Sequence, residues 1–246
     1  MYTETEGIIL RSTKTLDGRR ILVLLTPKFG KISAGTSISE RGKTKTSLAI
    51  RPFCLGRYEL YKNRSTFNVS GAEVIESNFA IGEDPERYMA AARILELTDS
   101  MLGEDQPQPA MFNLLRDYLS LMTGRKTDYD TPGIGFQLKA LQLQGCGVDL
   151  KNCVRCGAPT KKGDVLLSAE DGGLICSSCA KSSDGLNPLI FTMSDDIISA
   201  MEYILSHPLK NLERLSLPRE SSAKTAAFLN TYNSYHLGID RLRSDG

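Results

Sequence analysis

Four cysteines are spaced as Cys153-x-x-Cys156, then nineteen residues, then Cys176-x-x-Cys179. A Cys-x-x-Cys pair on a tight turn aims two sulfurs at one point. Two such pairs supply the four thiolates that a tetrahedral, structural zinc ion takes. Gly157 follows the first pair, and Asp171-Gly172-Gly173 leads towards the second, both suited to tight turns. With 164–168 and Leu174-Ile175 read as short strands, the segment predicts a zinc-ribbon-like hairpin. The competing chemistry is a pair of disulfides. Against it stand two further lone cysteines, Cys54 and Cys146, and a start, Met1-Tyr2-Thr3-Glu4-Thr5-Glu6, without a charged-then-apolar secretory pattern. The expected setting is the cytoplasm.

Four sulfurs complete the coordination of the ion. A catalytic zinc keeps an open position beside a group that handles a proton. His207 and His236 lie far downstream and are read as residues that cap or pack helices. The metal is therefore a staple. Gly42-Lys43-Thr44 looks like the end of a phosphate-binding P-loop, but the glycine needed five positions earlier is Ser37, and Gly35 comes two residues too early. No helix is predicted to follow, so nucleotide hydrolysis is rejected. Asp195-Asp196 is placed in the first turn of a helix, where the dipole favours carboxylates. Nothing assembles a nucleophile, a base and an oxyanion donor, and the chain is read as not an enzyme.

The elements that hold these residues change character along the chain. At 246 residues and 41% hydrophobic, it has an ordinary globular composition. No apolar run approaches the roughly 20 residues that cross a bilayer. The first 75 residues carry thirteen Lys/Arg against six Asp/Glu, a net of +7, and the remainder has a net of −6. That asymmetry points to a polyanion partner for the N-terminal part, a solvated basic face being the alternative. Short strands are predicted at 7–11, 20–26, 31–35, 47–51, 54–62 and 66–77, separated by turn residues. They suggest a small closed barrel of the OB type over 1–79. From Asp84-Pro85 onward the apolar period becomes helical. Helices are predicted from Pro85, after Gln106-Pro107-Gln108-Pro109, from about Pro132 to Gly145, from Ser194 to Pro208, and from about Ser221 to Leu242. The fold class is thus α+β: an N-terminal all-β OB-fold barrel, then a helical domain over 80–246 with the zinc module inserted at about 147–186.

Within the barrel, Arg41, Lys43 and Lys45 alternate with small residues in a basic loop. Arg11, Arg19, Arg20, Lys28, Lys31 and Arg51 come from neighbouring strands and turns. Phe29, Phe53, Tyr58, Tyr61 and Phe67 are interleaved with them. Some rings must fill the barrel; any exposed one can stack a base. These nine cations are the candidates to face a nucleic acid, with solvated surface charge as the bland reading of each.

Nearly the whole chain resembles the RecO family of bacterial recombination mediators. The resemblance is carried by Gly7-Ile8-Ile9-Leu10-Arg11, by Arg20-Ile21-Leu22, and by the turn Thr26-Pro27-Lys28-Phe29-Gly30-Lys31. It continues through Arg51-Pro52-Phe53, Tyr58-Glu59-Leu60 and Phe136-Gln137-Leu138-Lys139-Ala140-Leu141. It ends in Gly145-Cys146-Gly147 before the first cysteine pair and Tyr235-His236-Leu237-Gly238 near the terminus. It implies an OB barrel, a helical domain and a zinc module. It also implies binding of single- and double-stranded DNA, annealing of complementary strands without ATP, and action with RecR to load RecA onto strands covered by single-strand-binding protein. The rivals are a zinc-ribbon adaptor or transcription-associated factor that binds protein, and a nucleic-acid enzyme whose site leaves no motif.

Overall fold

The computed structural model describes residues 2–16, 19–39, 44–63, 66–160, 165–181, 187–240 and 242, with only the backbone at Lys45. Two compact units form: Met1–Arg125 with Leu242–Gly246, and Lys126–Arg241.

The first unit contains β1 (Tyr2–Lys14), β2 (Arg20–Thr26), β3 (Gly30–Thr36), α1 (Lys45–Ala49), β4 (Leu55–Asn63), β5 (Thr66–Glu76), α2 (Pro85–Met101) and α3 (Pro109–Gly124). The strands close in the order β1-β2-β3-β5-β4, with β4 returning to β1 and β3 parallel to β5. This is the OB arrangement the strand count suggests. Inward residues alternate along each strand, as the two-residue period requires. Ile9, Leu22, Leu24, Ile32, Ala34, Tyr58, Leu60, Phe67 and Val69 fill the interior with Ile50.

Residues 47–51, predicted as a strand, instead carry α1. Thr44 caps it, its hydroxyl accepting the Ser47 N–H at 3.2 Å. The Tyr58 hydroxyl donates to the Ala49 carbonyl at 2.6 Å, which anchors α1 to the barrel. Leu48-Ala49-Ile50 is too short an apolar run for its period to separate helix from strand. A five-residue helix does follow Gly42-Lys43-Thr44, yet Ser37 still stands where a P-loop needs glycine.

Val23 and Leu25 point away from the barrel interior but are buried too. α3 packs on β2 and α2 on β1. A strand covered on both faces needs a continuous apolar run, which Ile21-Leu22-Val23-Leu24-Leu25 supplies. α2 begins as predicted, Asp84 accepting the Arg87 N–H at 3.0 Å with Pro85 in the first position. Residues 102–106 then run along β3. Asp105 N–H donates to the Lys31 carbonyl at 2.9 Å, and Ser33 donates to Glu104 at 3.1 Å. Gly30, at φ 71°, permits this approach, because a Cβ there would lie 2.0 Å from the Gln106 carbonyl oxygen. Thus α2 and α3, grouped by sequence with the later helices, share the barrel's compact unit.

The second unit contains α4 (Asp130–Leu143), β6 (Val165–Ser168), β7 (Gly173–Ile175), α5 (Ser177–Lys181), β8 (Ile190–Met193), α6 (Asp195–Ser206) and α7 (Arg219–Leu237). α4 is apolar on most sides, with Phe136, Leu138, Ala140 and Leu141 fully buried, and it packs on α6 and α7. The helices flanking the cysteines therefore form one body. α7 stops at Gly238, left-handed at φ 65°, rather than reaching Leu242 as predicted. β8, absent from the sequence reading, completes a small sheet of order β7-β6-β8. Among the described residues no helix is long and apolar enough to cross a membrane.

Candidate metal centre and nucleic-acid interface

Cys153, Cys156, Cys176 and Cys179 converge, all four sulfurs lying within 4.8 Å of one another. Cys156 and Cys176 approach to 3.8 Å. A tetrahedron of metal–sulfur bonds near 2.3 Å has edges of roughly 3.8 Å, whereas a disulfide needs about 2.05 Å. The set thus fits a metal ion, and the disulfide alternative fails: all six cysteines are free. The first knuckle closes where Gly157, at φ 73°, donates its N–H to the Cys153 carbonyl at 2.8 Å. In the second, Cys179 N–H donates to the Cys176 sulfur at 3.5 Å. Burial works against a Cys153 thiolate, but N–H groups of Cys176, Cys156 and Arg155 outweigh it and bring the thiol to about 6. The Cys179 N–H likewise lowers Cys176. The neighbouring sulfurs of Cys176 and Cys156 push Cys179 up to about 12. Four thiolates side by side therefore require a cation.

Sequence reasoning missed the residues behind these ligands. Arg155, inside the first knuckle, donates from Nε to both Asp171 oxygens at 2.9 and 3.0 Å, and from Nη1 to the Cys179 carbonyl at 3.0 Å. One side chain thereby ties the first knuckle to the hairpin turn and to the second knuckle. The Arg155 hydrogen bond holds the Asp171 carboxyl below its ordinary value. An arginine between the first two ligands and an aspartate opening the glycine turn are the only signals the sequence offers. Gly173 must be glycine, since a Cβ would sit 2.3 Å from the Asp149 carbonyl oxygen. His236 is a packing residue: its Nε2 meets the Ala169 carbonyl at 2.7 Å, and its ring lies against Tyr232 at 4.2 Å. His207 follows α6 and stacks on Tyr203 at 4.0 Å. Cys54 is buried, its thiol pushed up to about 12 by that burial.

The seven basic candidates within the described residues fall into three groups. Arg11 and Lys31 both reach Asp99 of α2, each at 3.1 Å, and Lys31 also donates to the Asp99 carbonyl at 2.6 Å. The outer face of strands 2 and 3, where OB folds commonly take ligands, is partly covered by the chain's own helices. A second group gathers at one end of the barrel. Lys14 pairs across the ladder with Arg20, and Arg20 with Thr36, from which the basic loop departs. Arg19 is exposed beside them, and Arg20 donates to Ser12 at 2.8 Å. Lys45 opens α1 and Arg51 follows it; Arg41 and Lys43 lie outside the described residues. Lys28 stands apart at the opposite end, near Thr3. Of the rings, Phe53, Tyr58 and Phe67 are buried, Phe29 is half-buried and Tyr61 is exposed.

An OB barrel with a cationic rim, joined to a helical unit bearing a four-thiolate centre, defines a class of nucleic-acid-associated metal-module proteins. Residues 1–78 match the family model "Recombination protein O N terminal" and residues 82–246 match "Recombination protein O C terminal". The chain is 30% identical over 237 residues to a DNA repair protein RecO of Alkaliphilus metalliredigens, covering 96% of this chain and 94% of that one. It is 29% identical to one of Symbiobacterium thermophilum, covering 92% and 89%, and 27% identical to one of Desulforamulus reducens, covering 94% and 88%. The chain belongs to the recombination protein O family.

Proposed function

We propose that this chain is a DNA repair and recombination mediator, binding single- and double-stranded DNA and annealing complementary strands without ATP. It acts with RecR to load RecA onto strands covered by single-strand-binding protein, in the cytoplasm at the nucleoid. It catalyses no covalent step. Zinc, which suits an all-sulfur tetrahedral set, is the ion of the four-cysteine centre and supplies structure only.

The observation that carries this reading is the convergence of Lys14, Arg19, Arg20 and the root of the 37–45 loop at one end of a closed barrel. Two complementary strands repel through their phosphates. Cations on a hairpin and an adjacent loop neutralise that charge while leaving base edges open to pair. Each phosphate so neutralised on a single strand adds about 0.7 to the salt slope of binding.

The test is annealing of two complementary oligonucleotides, without ATP and against salt, by the wild type and a Lys43→Glu/Lys45→Glu variant. Salt-sensitive annealing that the variant loses is the expected result. Failure to bind or anneal even at low salt would sink the mediator reading in favour of a zinc-ribbon adaptor.

A further inference from the structure

α7 meets the metal module along one stripe. Phe228, Tyr232 and His236 recur every fourth residue, so they stand one above another on a single face of the helix. At one end Phe191 of β8 packs edge-on against Phe228, the ring centroids 5.5 Å apart. Phe228 lies 5.5 Å from Tyr232, and Tyr232 4.2 Å from His236. At the other end two hydrogen bonds grip the β6–β7 turn. The Tyr232 hydroxyl donates to the Gly172 carbonyl at 3.4 Å, and His236 Nε2 meets the Ala169 carbonyl at 2.7 Å. A carbonyl only accepts, so that Nε2 carries the proton. The turn so held leads to the ligands. Asp171 within it takes Arg155 of the first knuckle, and the Gly172 carbonyl also accepts the Asp149 N–H at 2.9 Å, just before that knuckle. On a neighbouring face α7 is fixed to the helical core, Asn233 donating to Gln137 of α4 at 3.1 Å with both residues buried.

We propose that this stripe positions the metal centre from behind, so that ion occupancy and the order of the last turns of α7 are thermodynamically linked. The inference goes beyond the mediator reading and holds without it. Tyr232 and His236 are positioning residues: they act on the cysteines through the turn, Asp171 and Arg155. The bond from His236 fixes where the Ala169 carbonyl points, and with it the turn that presents Asp171. A ring of similar size without a donor would keep the packing and lose that hold. Anchored on α4, α7 is the fixed support and the short hairpin is the part that is held. Linkage is reciprocal, so whatever the stripe adds to the ion's affinity, the bound ion returns as order in the end of α7.

The test uses the full-length protein with zinc as the probe. His236→Phe keeps a ring and deletes the donor, whereas His236→Gln keeps a donor and deletes the ring. His236→Phe is expected to weaken zinc roughly fivefold in competition with a chromophoric chelator, the worth of one hydrogen bond, while His236→Gln stays within about twofold of the wild type. Tyr232→Phe, which loses the longer bond, falls between them. Amide exchange in the wild type reads the reverse direction: stripping the zinc speeds exchange over 232–239 and leaves the amides of α3 unchanged. That measurement needs no variant, so it decides even where His236→Phe fails to fold. Unchanged zinc affinity in His236→Phe, equal losses in the phenylalanine and glutamine variants, or exchange over 232–239 that is indifferent to zinc would each reduce the stripe to plain packing and overturn the proposal. Neither measurement involves DNA, so failure here leaves the mediator reading intact.

Discussion

The barrel and the metal module achieve closure by different physics. The barrel joins strands of seven to thirteen residues into a ladder without edges, around an apolar interior plugged by α1. The module has strands of four, three and four residues, lengths that are marginal in isolation. Its two knuckles meet through sulfur. The barrel's shape is therefore intrinsic to its sequence, while the module's is conditional on an ion. With the cationic rim on the intrinsic part, the proposed strand binding is expected not to depend on metal supply.

Breaking that comparison begins with the metal. Replacing Cys153 and Cys176 by serine removes a binding free energy on the order of 10 kcal/mol for a structural zinc site. The expected outcome is loss of the ion, new protease cleavage within 149–193, and annealing close to that of the wild type. Annealing that disappears with the ion would mean that the two regions are not independent. A smaller effect is expected at Asp99. Its change to alanine leaves Lys31, 12% exposed at its side chain, without its anion. A loss of about 2–3 kcal/mol in denaturant unfolding of the barrel unit should follow. A change below about 0.5 kcal/mol, the range of ordinary surface sites, would make that contact a surface pair. The smallest effect sharpens the picture of the module. Arg155→Ala should weaken the metal roughly tenfold in competition with a chromophoric chelator, while oligonucleotide affinity stays constant. In that variant the Asp171 carboxyl moves upward towards its ordinary range, the Ser168 hydrogen bond remaining. The stabilisation it gives in the wild type is present above that range and is lost as pH falls through the lowered value.

What the sequence makes legible follows the range of the forces involved. The metal centre could be read because Cys-x-x-Cys spacing fixes sulfur positions through two adjacent turns, whatever surrounds them. The OB order followed from strand count and turns. The role of Arg11 and Lys31 could not be read, because counting cations does not reveal Asp99, 88 and 68 residues away. The strand predicted at 47–51 became α1 because its cap at Thr44 and its anchor at Tyr58 act from outside the apolar run. Gly238 was a helix stop in plain view, yet the apolar positions beyond it carried the prediction to Leu242. Arg155 was hidden by its position, since residues between paired cysteines are usually exposed turn.

The covering of β1 by α2 and of β2 by α3 bears on how this protein can be divided. The two family models meet between residues 78 and 82, which invites a cut there. A fragment ending at that point would turn Val23 and Leu25 towards water, and with them an apolar stripe that invites self-association. A fragment carried through Arg125 brings its own lid. For this chain, then, the inherited seam and the mechanical seam are some forty-five residues apart, and the barrel's compact unit takes in Leu242 as well.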